Sequence, residues 1–285
     1  MKAQFNKITR KPFICCTEDF SGGEIVDFVF DKKHSIIVTS KTLQPMSNHS
    51  HKPFTIIYTI FALIESFGEL LNLPNAIHYF TKPALVITLI LYFLSGVKGT
   101  IFKDKTLFIF TIFFALLGDI FLMFLTQNPL FFILGLGSFL LMQLGYSLYF
   151  NREIEFKRSL LFQKPYWIVP VIVYASILYK IVGENAGGVK GAILAYTICI
   201  AIMMLSAMNR LGQISQNSFR WVFFGALFFL ISDSILAVNK FASPVSNAGF
   251  WIMSTYALAQ YLIVRGVVLK DLGIDTCKDS KSLQV

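Results

Sequence analysis

From residue 54 onward the chain alternates between long apolar runs and short polar breaks. Eight runs stand out: 54–72, 78–97, 106–126, 129–150, 166–182, 190–208, 219–239 and 248–268. Each is close to the ~20 largely apolar residues that a helix needs to cross a bilayer. Short breaks make successive helices antiparallel neighbours. The pattern therefore predicts an all-α, polytopic membrane helix bundle of eight transmembrane helices spanning 53–269. The fifth run is the shortest and contains Pro170. Residues 1–52 are polar and mixed in charge, and read as a poorly ordered cytoplasmic N-terminal extension, with Met46 as an alternative start. Residues 270–285 read as a cytoplasmic tail.

Composition sharpens this picture. Hydrophobic residues make up 55% of the chain and charged residues 14%, where a soluble domain carries about 25% charged. An ordinary water-soluble enzyme, a disordered tail protein and a disulfide-stapled module are thereby excluded. The four cysteines, Cys15, Cys16, Cys199 and Cys277, have no disulfide or metal-ligand spacing. The formal charge of +9 is a topology signal. Of the 25 Lys and Arg, all but Lys82, Lys180, Lys190 and Lys240 fall on one face of the eight-helix arrangement. Cationic loops stay in the cytoplasm, so both termini are expected there. An integral protein of a bacterial inner membrane or an endoplasmic reticulum-type membrane fits this count. No basic patch with interleaved aromatics points to nucleic acid, and the pattern is compatible with a homodimer.

Ionisable residues inside spanning helices are costly and mark function by default. Four acids qualify: Glu65, Glu69, Asp119 and Asp233. Asp119 lies 13 residues after Thr106, Asp233 14 after Phe219 and Glu69 15 after Phe54. At 1.5 Å per residue each is ~20 Å from the cytoplasmic end of its helix. The three can share one layer, which Lys82 could approach from the opposite face. The two Asp contexts, Phe114-Ala-Leu-Leu-Gly-Asp119-Ile-Phe-Leu122 and Phe228-Phe-Leu-Ile-Ser-Asp233-Ser-Ile-Leu236, are alike. Four helices separate them, which points to a four-plus-four internal repeat. Two carboxyls in a dry pocket can divide their roles, one protonated as acid and its partner ionised. Glu65 and Glu69 share a helix face and could line a wet vestibule.

Other polar residues add detail. Gln143 and Tyr146 in the fourth run, and Tyr256 and Gln260 in the eighth, can orient substrate or water, or simply bond neighbouring helices. Lys82 and Lys240 could meet a phosphate. None of His34, His49, His51 and His78 lies deep in a helix, so a metal site with His ligands is not expected. No nucleophile elbow, P-loop or dinucleotide fingerprint occurs.

These residues resemble the lysoplasmalogenase (YhhN-like) family of integral membrane hydrolases over roughly 55–268. The landmarks are Lys82-Pro83, Gly118-Asp119-Ile-Phe-Leu122, the stretch from Gly135 through Phe150, Ser232-Asp233-Ser-Ile-Leu-Ala-Val-Asn-Lys-Phe241, and Tyr256-Ala-Leu-Ala-Gln260. One departure is Gln143, where the resemblance leads one to expect His. The resemblance implies an eight-helix enzyme that cleaves the vinyl ether of lysoplasmalogens, releasing a fatty aldehyde and glycerophosphocholine or glycerophosphoethanolamine, without a cofactor. Such chemistry needs a carboxylic acid, a second carboxylate and an apolar slot for the chain. Asp119 and Asp233 fit the catalytic roles. Lys82, Asn239, Lys240, Tyr256, Gln260, Tyr146, Gln143 and Glu69 make up the expected substrate-binding set. Competing readings are a proton-coupled lipid or small-molecule transporter, in which the same acids relay protons, and a non-catalytic lipid-sensing protein.

Overall fold

The computed structural model describes residues 24–30, 36–42, 52–97, 104–184 and 186–271. The chain divides into two units, residues 1–50 and 51–285. In the first, β1 (Glu24–Phe30) and β2 (Ile36–Thr42) pair antiparallel, from Glu24 opposite Thr42 to Phe30 opposite Ile36. Hydropathy predicts no element there. The strands are short and rich in Val, Ile, Thr and Phe, the residues that suit a pleated surface. The tail expected after 271 lies outside the described residues.

The described residues of the second unit form helices joined by turns and short loops. Its long helices are α1 (Lys52–Leu70), α2 (Asn75–Gly96), α3 (Lys105–Met123), α4 (Leu130–Arg152), α6 (Ile168–Gly183), α7 (Lys190–Met208), α8 (Gln216–Phe241) and α9 (Ala248–Asp271); α5 (Leu160–Gln163) is a single turn between α4 and α6. All eight apolar runs are found as helices, with ends shifted by a few residues. Among the described residues, seven helices are long and apolar enough to cross a membrane by length and composition. The helix α1, which carries Glu65 and Glu69, is not one of them.

Local chemistry explains the breaks. Among the described residues, the three non-glycine ones with left-handed backbones are Asn72, Asp104 and Asn247, each beside a helix end. Short polar side chains tolerate that conformation best. Ser215 caps α8 by accepting from the Ser218 N–H. Pro170 is the third residue of α6, where its missing N–H would have no partner in any case.

Helices α8 and α9 form the most extensive pairing, followed by α3 with α4; α1 packs on α2 and α9, α4 on α7, and α6 on α7 and α8. Glycine sets the α8–α9 separation. A Cβ on Gly225 would lie 2.9 Å from the Ala259 carbonyl oxygen and 2.9 Å from the Ile263 nitrogen, and one on Gly266 would lie 3.0 Å from the Ser218 carbonyl oxygen. Small residues let backbones approach in lipid, where packing replaces the hydrophobic drive. Two hydroxyls stitch the pair: Ser218 Oγ donates to Gly266 O at 2.6 Å and Ser232 Oγ to Ile252 O at 3.0 Å. The interior is filled by Met142, Tyr146, Phe150, Met203, Phe229 and Ile263, while Leu91, Phe110, Leu148, Phe224 and Leu258 face outward.

One end of the bundle is closed by charge. Arg210, fully buried after α7, donates through Nε to Glu153 Oε2 at 2.8 Å, and Lys270 of α9 donates to Glu153 Oε1 at 3.0 Å. The guanidinium also lies 5.3 Å from the Phe150 ring centre and bonds Ser218. The ends of α4, α7 and α9 thus meet at one carboxylate, and Arg210 ties the start of α8 to it.

Gly225→Val should destabilise the α8–α9 pair by about 1–3 kcal/mol through overpacking. Gly137→Ala, at a position with no atom within 4 Å of the added Cβ, should be neutral or stabilising by about 0.5–1 kcal/mol. Thermal unfolding in detergent, read by tryptophan fluorescence, checks both.

Candidate active site

Opposite the Arg210 end, a chamber of about 240 Å³ opens among α2, α3, α4, α8 and α9. Both Asp119, near the end of α3, and Asp233, late in α8, line it. Alternating helix directions make α3 and α8 run the same way, which brings these two helix regions to one depth even though 114 residues separate them in the chain. Lys82, Asn239, Lys240 and Tyr256 line the same chamber.

Each carboxyl is held on one oxygen. Tyr256 of α9 donates to Asp119 Oδ2 at 2.9 Å. Asp233 Oδ2 receives two donors, Gln143 Nε2 of α4 at 3.0 Å and the Tyr196 hydroxyl of α7 at 2.5 Å. Three helices therefore converge on Asp233 Oδ2, which leaves Oδ1 as its uncommitted atom. At the mouth, Lys240 lies 5.2 Å from the Phe132 ring centre, and Asn239 Oδ1 accepts the Val245 N–H at 2.9 Å. Asn239 and Lys240 are exposed, whereas Lys82 is half-buried.

A second cavity adjoins Asp233. This slot, about 40 Å³, is walled almost entirely by apolar side chains of α4, α6, α7 and α8, among them Leu136, Leu178, Ile193 and Ile200. It shares Phe132, Asp233 and Leu236 with the chamber. Asp233 thus stands where a chamber that holds two lysines and two carboxyls among apolar walls meets a slot that is almost wholly apolar.

Not every expected residue is at the chamber. Gln143 contacts it only through Asp233. Tyr146 donates to Gln260 Oε1 at 2.7 Å, and Gln260 Nε2 contacts Met142 Sδ at 3.2 Å. Both are buried and tie α4 to α9 rather than lining the cavity. The Glu69 side chain lies outside the described residues. Glu65 does not face a wet vestibule: it is fully buried, with His78 Nδ1 donating to Oε2 at 3.1 Å and the Thr81 hydroxyl bonding Oε1. His78 is itself buried in the first turn of α2, because a carboxylate in the bundle needs a donor. Hydropathy also passed over Tyr196. A lone tyrosine within an apolar run was its signal, since a buried phenol seeks a partner.

A protein-family model described as the YhhN family matches residues 77–267 of this chain. The chain belongs to the YhhN family. Every residue of the chamber and the slot lies within that match. Among curated relatives, "Lysoplasmalogenase TMEM86A" of Bos taurus is 29% identical over 161 residues, covering 54% of this chain and 62% of the relative. The human protein of the same name is 29% identical over 160 residues, with the same coverage. "Lysoplasmalogenase TMEM86B" of Sus scrofa is 40% identical over 72 residues, covering 25% of this chain and 28% of the relative. The match thus spans less than two thirds of the length of these relatives. No solved structure matches the chain.

His78→Ala should leave the buried Glu65 carboxylate one hydrogen bond short and cost about 1–3 kcal/mol. Thermal unfolding of the variant in detergent checks this: a midpoint equal to the parent's would mean that the pair does not hold α1 to α2.

Proposed function

We propose that this YhhN-family protein is an intramembrane hydrolase that cleaves the vinyl ether of lysoplasmalogens, with Asp119 and Asp233 as catalytic residues. The observation that carries the reading is the pair of carboxyls on one chamber, at the boundary between cationic and apolar walls. The relatives' name, lysoplasmalogenase, supports the substrate class. Lys82 and Lys240 are suited to a headgroup phosphate, and Asn239 and Tyr256 to the glycerol or to water. The apolar slot suits the chain beside Asp233.

That orientation assigns the roles. A vinyl ether is protonated on its outer alkene carbon, the one on the chain side. With the chain in the slot, this carbon lies beside Asp233. Because Oδ2 accepts both Gln143 and Tyr196, the proton of the neutral acid sits on Oδ1. Transfer of that proton to carbon leaves an oxocarbenium ion, which the Asp233 carboxylate then faces. Asp119, on the headgroup side with Lys82, takes a proton from water as it adds to the cation. The hemiacetal then collapses. Asp119 returns its proton to the leaving glycerol oxygen, Asp233 recovers one from the hemiacetal hydroxyl, and the aldehyde departs with both carboxyls restored. Gln143 acts here as a donor that positions Asp233, a role that an amide fills.

The same reading completes the membrane arrangement. As the eighth span, α1 packs on α2 and α9, and its 19 residues reach ~28 Å at 1.5 Å each. Its Glu65 is turned to partners inside the bundle. Eight spans put both termini on one side, and the cation count makes that side cytoplasmic. The glycine-spaced pairs α3–α4 and α8–α9, each carrying one Asp, support a four-plus-four repeat.

Purified protein should release aldehyde from lysoplasmenylethanolamine or lysoplasmenylcholine. Asp233→Asn and Asp119→Asn should each lower the rate by about 10²–10⁴-fold, the usual contribution of a positioned acid or base. Equal rates in folded variants and parent would overturn the assignment. Solute movement that requires sealed vesicles, with no aldehyde, would favour a transporter instead. For the topology, a membrane-impermeant maleimide should label Cys277 only after intact cells are permeabilised.

A further inference from the structure

The slot beside Asp233 continues outward. It shares Leu178 and Ser234 with a third cavity, a groove of about 290 Å³ between α6 and α8. Ile177, Ile181 and Val238 also wall that groove. Its own Ile177 and Ile181 are 55% and 46% exposed, so the groove lies on an apolar outer face of spanning helices. The slot itself, about 40 Å³, has room for only about three waters at 10–15 Å³ each. A long hydrocarbon chain that reaches Asp233 cannot end within it, and the groove is its continuation.

We propose that the groove and slot bind the hydrocarbon chain of a single-chain lipid, which passes between α6 and α8 from the bilayer to Asp233. The end point at Asp233 rests on the hydrolase reading above. Three observations select this occupant: groove, slot and carboxylate chamber share wall residues in series, the walls of groove and slot are almost wholly apolar, and the outer walls are exposed on helices long and apolar enough to span a bilayer. Helix α6 is also lightly bonded to α8. Among the described residues, its one side-chain hydrogen bond to another helix runs from Tyr174 to Ser234 at 2.7 Å. Ser234 spends its own proton on Leu230 O at 2.6 Å, so the tyrosine is the donor. Near its C-terminal end, α6 is pinned by a separate apolar cluster of Val182, Ala186 and Ile193. Parting the helices at Tyr174 costs one hydrogen bond, plus apolar contacts that a lipid chain replaces in kind. The Tyr174–Ser234 bond is thus a clasp across the passage, next in sequence to the proposed acid.

The test is photolabelling of the purified full chain in detergent. The probe is a lysophosphatidylcholine with a diazirine on the terminal carbon of a saturated chain, with unlabelled lysolipid as competitor and adducts mapped by mass spectrometry. Adducts that the competitor removes are expected on Ile177, Leu178, Ile181 or Val238. Leu178→Trp, which fills the junction of groove and slot, should lower them about tenfold, the effect of ~1.4 kcal/mol. Tyr174→Phe, which opens the clasp without adding bulk, should raise the initial labelling rate by about 2–10-fold. Competed adducts confined to the chamber walls Leu122, Leu125 and Ile252, or no competed adducts at all, would overturn the proposal. Aldehyde release from the same preparation separates the two readings. Aldehyde with adducts elsewhere removes the passage alone, whereas competed adducts in the groove without aldehyde remove the hydrolase and keep the lipid site.

Discussion

Hydrocarbon offers no hydrogen bonds, and this constraint organises the whole bundle. Among the described residues, three acids within it are bonded inward. Asp119 meets Tyr256, Asp233 meets Gln143 and Tyr196, and Glu65 meets His78 and Thr81. Every one of these partnerships crosses between helices, so satisfying the polar groups and assembling the fold are a single process. The Ser218–Gly266 bond between α8 and α9 and the buried Arg210–Glu153 pair extend the same logic to the closed end. A buried ion pair adds little net stability of its own, but losing one partner strands a charge. Such pairs therefore fix which helices meet.

Packing then divides the bundle into rigid and compliant parts. Where α8 and α9 cross, glycine lets the backbones approach until a single methyl group would collide with a main chain. Asp233 therefore rides on a helix that cannot shift easily against its neighbour. On its other side α8 meets α6, where apolar side chains and one hydrogen bond make the contact. In lipid, contacts of that kind exchange freely with acyl chains. A fixed carboxyl beside a movable wall is a reasonable arrangement for a site that must hold its chemistry still while a hydrophobic substrate comes and goes.

The chamber's electrostatics follow from position. Lys82 and Lys240 are cations near the ends of spanning helices, where long side chains reach polar surroundings, and both line the cavity that holds the two carboxyls. Lysines in the chamber and apolar walls behind Asp233 form an axis that suits the proposed substrate, a phosphate-bearing lipid with a single chain. The asymmetry between one donor on Asp119 and two on Asp233 gives the two acids different surroundings within one cavity, which is the condition for different roles.

Much of this was legible in the chain itself. Eight apolar runs became eight helices because length and hydropathy are local properties, and the rarity of acids in such runs singled out Asp119 and Asp233. The resemblance carried by Gly118-Asp119 and Ser232-Asp233 led to the family. The strands of residues 24–42 escaped notice because seven-residue strands leave no long apolar run. Tertiary structure alone decided the partners. Spacing could not tell that Tyr146 and Gln260 bond each other away from the chamber, that Tyr196 holds Asp233, or that His78 lies against Glu65. Those outcomes depend on which helix faces which and at what rotation, and an apolar helix that is hydrophobic all round carries no stripe to announce its rotation. The sequence by itself determined the helices and the acids; close approach at glycine and hydrogen bonds between helices decided how they meet.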